Sequence, residues 1–72
     1  MENTVDARGL SCPQPVLITL EKIKKMSRGR IHVLVDTDTS RENVVRASEN
    51  QGWLVENIQP KEDGYKITIS KE

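Results

Sequence analysis

The chain has 72 residues. A domain of this size buries roughly 60% of its unfolded surface, so we expect one small domain over residues 1–72. Its 11 basic and 11 acidic residues are interspersed and give no net charge, which argues against a nucleic-acid-binding surface. No apolar run approaches the roughly 20 residues of a membrane span, and the N-terminal residues lack a signal-peptide pattern. A single cysteine cannot form an internal disulfide, which is compatible with a cytoplasmic location.

The first half of the chain predicts a strand, a helix and a second strand. Residues 3–7 predict a short strand. Between about residues 13 and 27, apolar residues at helical spacing predict a helix with an inner stripe of Val16, Leu17, Leu20, Ile23 and Met26. Residues 30–35 are mostly apolar and β-branched, and they predict a central strand with Ile31, Val33 and Val35 on one face. This order predicts a parallel crossover between the two strands.

The second half predicts another helix and two more strands. Thr39 followed by Glu42 fits a capping box, so a helix should begin there and run to about Gln51. Its expected inner stripe is Val44, Val45, Ala47 and Ser48, and Gly52 should end it. A strand from Trp53 to about Gln59, a turn over 60–64 and a strand over 65–70 complete the chain. The order βαβαββ predicts an α+β two-layer sandwich, with both helices on one face of a four-stranded mixed sheet.

The only cysteine lies in the run Arg8-Gly9-Leu10-Ser11-Cys12-Pro13-Gln14-Pro15. Proline is tolerated in the first turn of a helix, so Cys12 should lie where a helix begins. Free N–H groups and the helix dipole favour an anion there, and a thiolate is a nucleophile without a general base. The competing interpretation is a small buried hydrophobic residue, as free cysteines often are. Flanking glycine and prolines are typical of a surface junction and favour the reactive thiol.

Other candidate chemistry is weaker. His32 alternates with apolar strand residues, so we expect it on the far face of the sheet rather than acting as a base. Asp36 and Asp38 could ligate a hard cation, but residues in such a turn more often cap a helix and bind turn backbone. One cysteine and one histidine cannot build a zinc site. We therefore expect no metal and no cofactor, and we expect Trp53 to fill the core.

The pattern Asp6-x-Arg8-Gly9-Leu10-x-Cys12-Pro13-x-Pro15 resembles the signature of the TusA/SirA family of sulfur-carrier proteins. The resemblance extends over essentially the whole chain, including the Asp36-Thr37-Asp38 turn and Gly52. It implies a βαβαββ sandwich similar to the C-terminal domain of translation initiation factor three.

The resemblance also implies a function. Cys12 would accept sulfane sulfur as a persulfide, Gly9 and Leu10 would shape the approach to it, and Pro13 and Pro15 would shape the helix mouth. The partners would be a cysteine desulfurase or another sulfur donor protein, and a downstream acceptor protein. The sulfur that members of this family pass on is used to thiolate transfer RNA, to make the molybdenum cofactor or in dissimilatory sulfur metabolism.

Two positions beside the cysteine indicate a branch of the family. Ser11 and Gln14 stand where tRNA-thiolation members typically have a basic and an acidic residue, which implies a different partner surface. The whole run of residues 8–17, with the later Arg41-Glu42-Asn43-Val44, looks closer to the YedF branch, whose longer members join such a domain to a second domain and are associated with selenium metabolism.

The leading hypothesis is therefore a sulfurtransferase-like sulfur carrier that acts with donor and acceptor proteins. The alternative is a regulatory or protein-binding module in which Cys12 is incidental. A third hypothesis, nucleic-acid binding, rests only on the likeness to a ribosome-binding domain, and fold does not fix function. No direct nucleic-acid or membrane partner is expected, and short charged edge strands favour a monomer.

Overall fold

The computed structural model describes residues 3–10, 14–26 and 28–72. Its elements follow the predicted order: β1 (Asn3–Asp6), α1 (Gln14–Met26), β2 (Gly29–Val35), α2 (Asp38–Asn50), β3 (Leu54–Lys61) and β4 (Gly64–Lys71). The four strands form one sheet in the order β1-β2-β4-β3. β1 and β2 are parallel, and the other two pairings are antiparallel. The predicted α+β fold with a mixed sheet is confirmed.

One face of the sheet carries the core. Ile31, Val33 and Val35 of β2 are fully buried, as predicted, and they pair with Ile69, Ile67 and Tyr65 of β4. Side chains of a strand alternate between faces, so these residues form one continuous apolar surface. The buried members of the core are Ala7, Ile23, Ile31, Val33, Val35, Val44, Trp53, Ile67 and Ile69. Trp53 therefore fills the core, as expected.

The opposite face of the sheet is mostly polar. His32 lies there in register with Thr4 of β1 and Thr68 of β4, and its Nδ1 is 3.0 Å from the Thr68 hydroxyl. Glu56 contacts both Ser70 and Arg30 on this face. The bond from Ser70, followed by the charge of Arg30, lowers the pKa of Glu56. The prediction that His32 belongs to the far face is confirmed.

The inner stripe of α1 differs from the prediction. Its buried residues are Pro15, Thr19 and Ile23, whereas Leu17 is 53% exposed. Thr19 tolerates burial because its hydroxyl donates to the Pro15 carbonyl oxygen at 2.8 Å. Hydrophobicity alone favoured Leu17. Positions 15, 19 and 23, however, are about one turn apart and form the face that meets the sheet, and Leu17 lies on another face of the helix. Val16, Leu20 and Met26 pack at the margins of the core.

The start of α2 also differs from the prediction. Thr37 is the N-cap, and its hydroxyl accepts the Ser40 N–H at 3.0 Å, so Thr39 lies inside the helix. The predicted Thr39–Glu42 capping box is wrong by two residues. The predicted end is correct, since the N–H groups of Gly52 and Trp53 donate to the carbonyls of Glu49 and Ser48. Those two bonds form a Schellman motif.

The inner face of α2 follows the prediction at Val44 and Ser48, which are fully buried, and it also includes Ser40. The β3–β4 hairpin is tighter than predicted, because β3 continues through Pro60 and Lys61 pairs with Gly64. Pro60 is tolerated there because β3 is at the sheet edge. Neither helix in the described part of the chain is both long and apolar enough to cross a membrane.

Candidate functional site

Three loops meet at one end of the sheet. The loop after β1 and the turn after β2 lie at the same end of the sheet, where both strands finish, because these two strands are parallel neighbours. β4 begins at that same end of the sheet, since Tyr65 is in register with Val35 at the end of β2. The segment that leads to Cys12 is therefore surrounded by the 36–38 turn and the β3–β4 hairpin.

The predicted site residues fall partly within this region. Cys12 and Pro13, together with Ser11, lie outside the described residues. Gly9 is exposed and has φ +79, which only glycine adopts readily, as the sequence predicted. Leu10 is half-buried and packs against the core, and Pro15 is fully buried in the first turn of α1. The segments on both sides of Cys12 are thus fixed to the body of the protein.

Arg8 connects β1 to the hairpin. Its guanidinium contacts the Asp6 carboxylate at 3.0 Å and the Asp63 carboxylate at 2.7 Å. The hydrogen bond from Arg8 lowers the pKa of Asp6 from its ordinary 3.8 to about 2. The same bond, followed by the bond to Asp63, raises the pKa of Arg8 above its usual range. Arg8 was part of the sequence signature, but its partner Asp63 lies 55 residues away in the chain.

The acidic turn binds two other segments. Asp36 Oδ2 accepts the backbone N–H of Gly9 at 2.7 Å. The Tyr65 hydroxyl donates to the Asp38 carboxylate, and this bond raises the pKa of Tyr65. The Arg41 guanidinium lies 4.9 Å from the centre of the Tyr65 ring, within cation–π distance. Asp36 therefore binds backbone, but in the loop after β1, and Asp38 binds a side chain of the hairpin. The cap of α2 is Thr37 rather than either aspartate, so the expectation that these carboxylates cap the helix is wrong.

The sequence indicated the acidic turn but not its contact with Gly9. Asp36 and Gly9 are 27 residues apart. The available signal was topological, because parallel pairing of β1 and β2 brings the residues that follow them to one edge. Within residues 3–10, 14–26 and 28–72, no group of three His, Cys, Asp or Glu side chains is placed to hold a metal ion.

Comparison with known proteins places this arrangement in a family. The model of the family described as "Sulfurtransferase TusA" matches residues 3–71. The chain belongs to the TusA family. A crystal structure of a SirA-like protein from Desulfitobacterium hafniense superimposes with a TM-score of 0.86 at 33% sequence identity, covering 97% of this chain and 96% of that one. The TusA fold predicted from the sequence signature is thereby confirmed.

Two curated relatives carry the name "Putative sulfur carrier protein". The one from Aquifex aeolicus is 34% identical over 71 residues, and that alignment spans 99% of this chain but 36% of the relative. The one from Methanocaldococcus jannaschii is 32% identical over 68 residues, covering 93% of this chain and 91% of the relative. This chain thus spans about a third of the length of the Aquifex aeolicus relative and nearly the whole length of the Methanocaldococcus jannaschii relative.

Proposed function

We propose that this chain is a sulfur carrier, which holds sulfane sulfur as a persulfide on Cys12 and passes it to a partner protein. The observation that carries the proposal is the family match, which runs through the only cysteine of the chain. Two relatives are named as sulfur carriers, which supports the same role. With one cysteine, only one thiol can hold the sulfur.

The transfer step needs no outside oxidant or reductant. The Cys12 thiolate attacks the terminal sulfur of a persulfide on the donor protein, and a new S–S bond forms as the donor's S–S bond breaks. The donor cysteine leaves as a thiolate, and the terminal sulfur keeps its proton on Cys12. The step is repeated with Cys12 as donor and the acceptor thiol as nucleophile.

The fixed segments on both sides of Cys12 support a carrier rather than a complete enzyme. Gly9 and Pro15 are each three residues from Cys12 in the sequence; the Gly9 N–H is bound by Asp36, and Pro15 is fully buried in the first turn of α1. Such a site presents one nucleophile to two successive proteins, and the partners supply the remaining groups. We propose a cysteine desulfurase or a similar protein as the donor and an unidentified thiol protein as the acceptor.

The residues beside Cys12 also bear on where the sulfur goes. Ser11 and Gln14 beside the cysteine favour the YedF branch, and hence a selenium-linked route over tRNA thiolation. A desulfurase supplied with selenocysteine should then load Cys12 with selenium as well as it loads sulfur from cysteine. Loading with sulfur alone would leave the carrier proposal standing and remove the selenium route.

Intact mass spectrometry after incubation with a cysteine desulfurase and cysteine tests the carrier proposal. The protein should gain one sulfur atom, which a reductant removes. Cys12→Ser should gain none. A double variant with Ser11→Cys and Cys12→Ser is the matched control, because it moves the thiol by one position, and it should load more slowly.

A failure to load would contradict the carrier proposal and favour the binding-module alternative. That alternative predicts that Cys12→Ser binds a partner protein as tightly as the unaltered chain does. Equal loading of the shifted thiol would show that any accessible cysteine in this segment suffices, and it would contradict a specific requirement for the thiol at position 12.

A further inference from the structure

The loop between β1 and α1 is held at successive backbone positions. The Ala7 N–H donates to the Leu34 carbonyl at 2.8 Å, which continues the pairing of β1 with β2. The Arg8 N–H donates to Asp6, and the Gly9 N–H donates to Asp36. The contact with Asp36 is the last of these before Cys12, and it joins the loop to a different element.

The bond from Gly9 to Asp36 has the features of a strong anchor. Its donor and acceptor are 2.7 Å apart, and a carboxylate acceptor makes it a charge-assisted bond, which is stronger than a neutral one. It ends on backbone rather than on a long side chain, so little side-chain freedom is lost in forming it. Both this bond and the Arg8–Asp63 ion pair are exposed, but the ion pair also costs the freedom of a long side chain, so it contributes less.

The backbone around Asp36 is held on both sides. Thr37 caps α2, which fixes the backbone immediately after Asp36. On the other side, Gly64 approaches so closely that a Cβ atom there would lie 2.0 Å from the Val35 carbonyl oxygen and 2.7 Å from the Asp36 Cα. The hairpin therefore packs directly against the backbone that carries Asp36.

We infer that Asp36 is a positioning residue for Cys12, acting through its hydrogen bond to the Gly9 N–H. The inference rests on the proposed carrier function and adds a specific role to a residue outside the cysteine motif. The hydrogen bond fixes the loop at Gly9, three residues before Cys12 in the sequence, and its loss should slow the productive encounter of the thiol with donor and acceptor proteins.

Three variants separate positioning from a simple effect of charge. Asp36→Ala removes the acceptor and the charge, whereas Asp36→Asn removes only the charge and keeps an amide oxygen that can accept the Gly9 N–H. Asp38→Ala is the matched control, because it deletes a carboxylate two positions along the same turn that binds Tyr65 instead of the loop. The measurement is the initial rate of sulfur loading by a cysteine desulfurase, with urea unfolding alongside.

Asp36→Ala should load about tenfold more slowly, the equivalent of losing one hydrogen bond to a charged group. Asp36→Asn should recover most of the rate, and Asp38→Ala should load at the unaltered rate. Rates are compared under conditions where urea unfolding shows every variant to be fully folded, so loss of stability cannot produce the difference.

Two outcomes would overturn the inference. Equal loading of Asp36→Ala and the unaltered chain would show that the bond does not affect the thiol. Equal slowing of the alanine and asparagine variants would assign the effect to charge rather than position. If the unaltered chain itself does not load, the carrier proposal fails instead, and the two failures are thereby distinguished.

Discussion

Gly9 and Gly64 both have positive φ angles, but their surroundings differ. A side chain at Gly64 would overlap the backbone of Val35, whereas a Cβ at Gly9 would meet nothing within 4 Å. Gly9 is therefore required only for its backbone conformation. Gly64 is required for both its conformation and the close packing of the hairpin against β2.

Substituting these two glycines should separate the two effects. Gly64→Ala should lower the free energy of unfolding by roughly 3 kcal/mol, because the new methyl group forces β2 and the hairpin apart. Gly9→Ala should cost about 1 kcal/mol, the strain of a positive φ alone. Urea unfolding of both variants measures the difference. Equal losses would contradict the packing argument for Gly64.

The Asp6 carboxyl should titrate far below its ordinary range. Its pKa falls to about 2 because Arg8 donates hydrogen bonds to the ionised form. Since the folded state has the lower pKa, the Asp6–Arg8 contact stabilises the fold above about pH 4 and is lost as the pH falls towards 2. NMR titration of the carboxyl carbon checks this. In Arg8→Gln the midpoint should return towards 3.8, and an unchanged midpoint would exclude Arg8 as the cause.

At the scale of elements, the start of α2 gives the clearest test of a local contact. Thr37→Ala removes the cap and should cost about 1 kcal/mol of unfolding free energy, whereas Thr39→Ala, inside the helix, should change it by only a few tenths. Urea unfolding of the two single variants compares matched substitutions two residues apart. A larger loss at Thr39 would restore the capping box expected from the sequence.

The elements themselves could be predicted because each depends on neighbouring residues. The β-branched run of β2 and the Gly52 end of α2 are local patterns, and both were identified correctly. Two threonines in one turn are chemically equivalent caps, so pattern alone could not choose Thr37 over Thr39. The choice depends on where β2 ends and how the hairpin packs there.

The contacts that connect elements could not be read from the sequence. Arg8 and Asp63 are 55 residues apart, and Gly9 and Asp36 are 27 residues apart. Their pairing follows only from the strand order β1-β2-β4-β3. Leu17 illustrates the same limit, because its exposure is set by which face of α1 meets the sheet.

At the scale of the whole molecule, the topology separates the hydrophobic core from the loops that precede and surround the cysteine motif in the fold. The core lies between the helices and one face of the sheet, while the three loops meet at one edge. Substitutions of exposed side chains in these loops, such as Asp36, can therefore alter the loops without removing a core side chain. This division suits a protein whose proposed task is to present one thiol to several partners.

Whether Cys12 passes sulfur on can be measured by return transfer to the donor protein. The chain is loaded with heavy-isotope sulfur, separated from the desulfurase, and mixed with fresh desulfurase that carries no persulfide. Because each transfer step is an exchange between thiols, we expect heavy sulfur to appear on the desulfurase cysteine while the carrier loses it. Heavy sulfur that stays on Cys12 would identify a dead-end modification and contradict the carrier role.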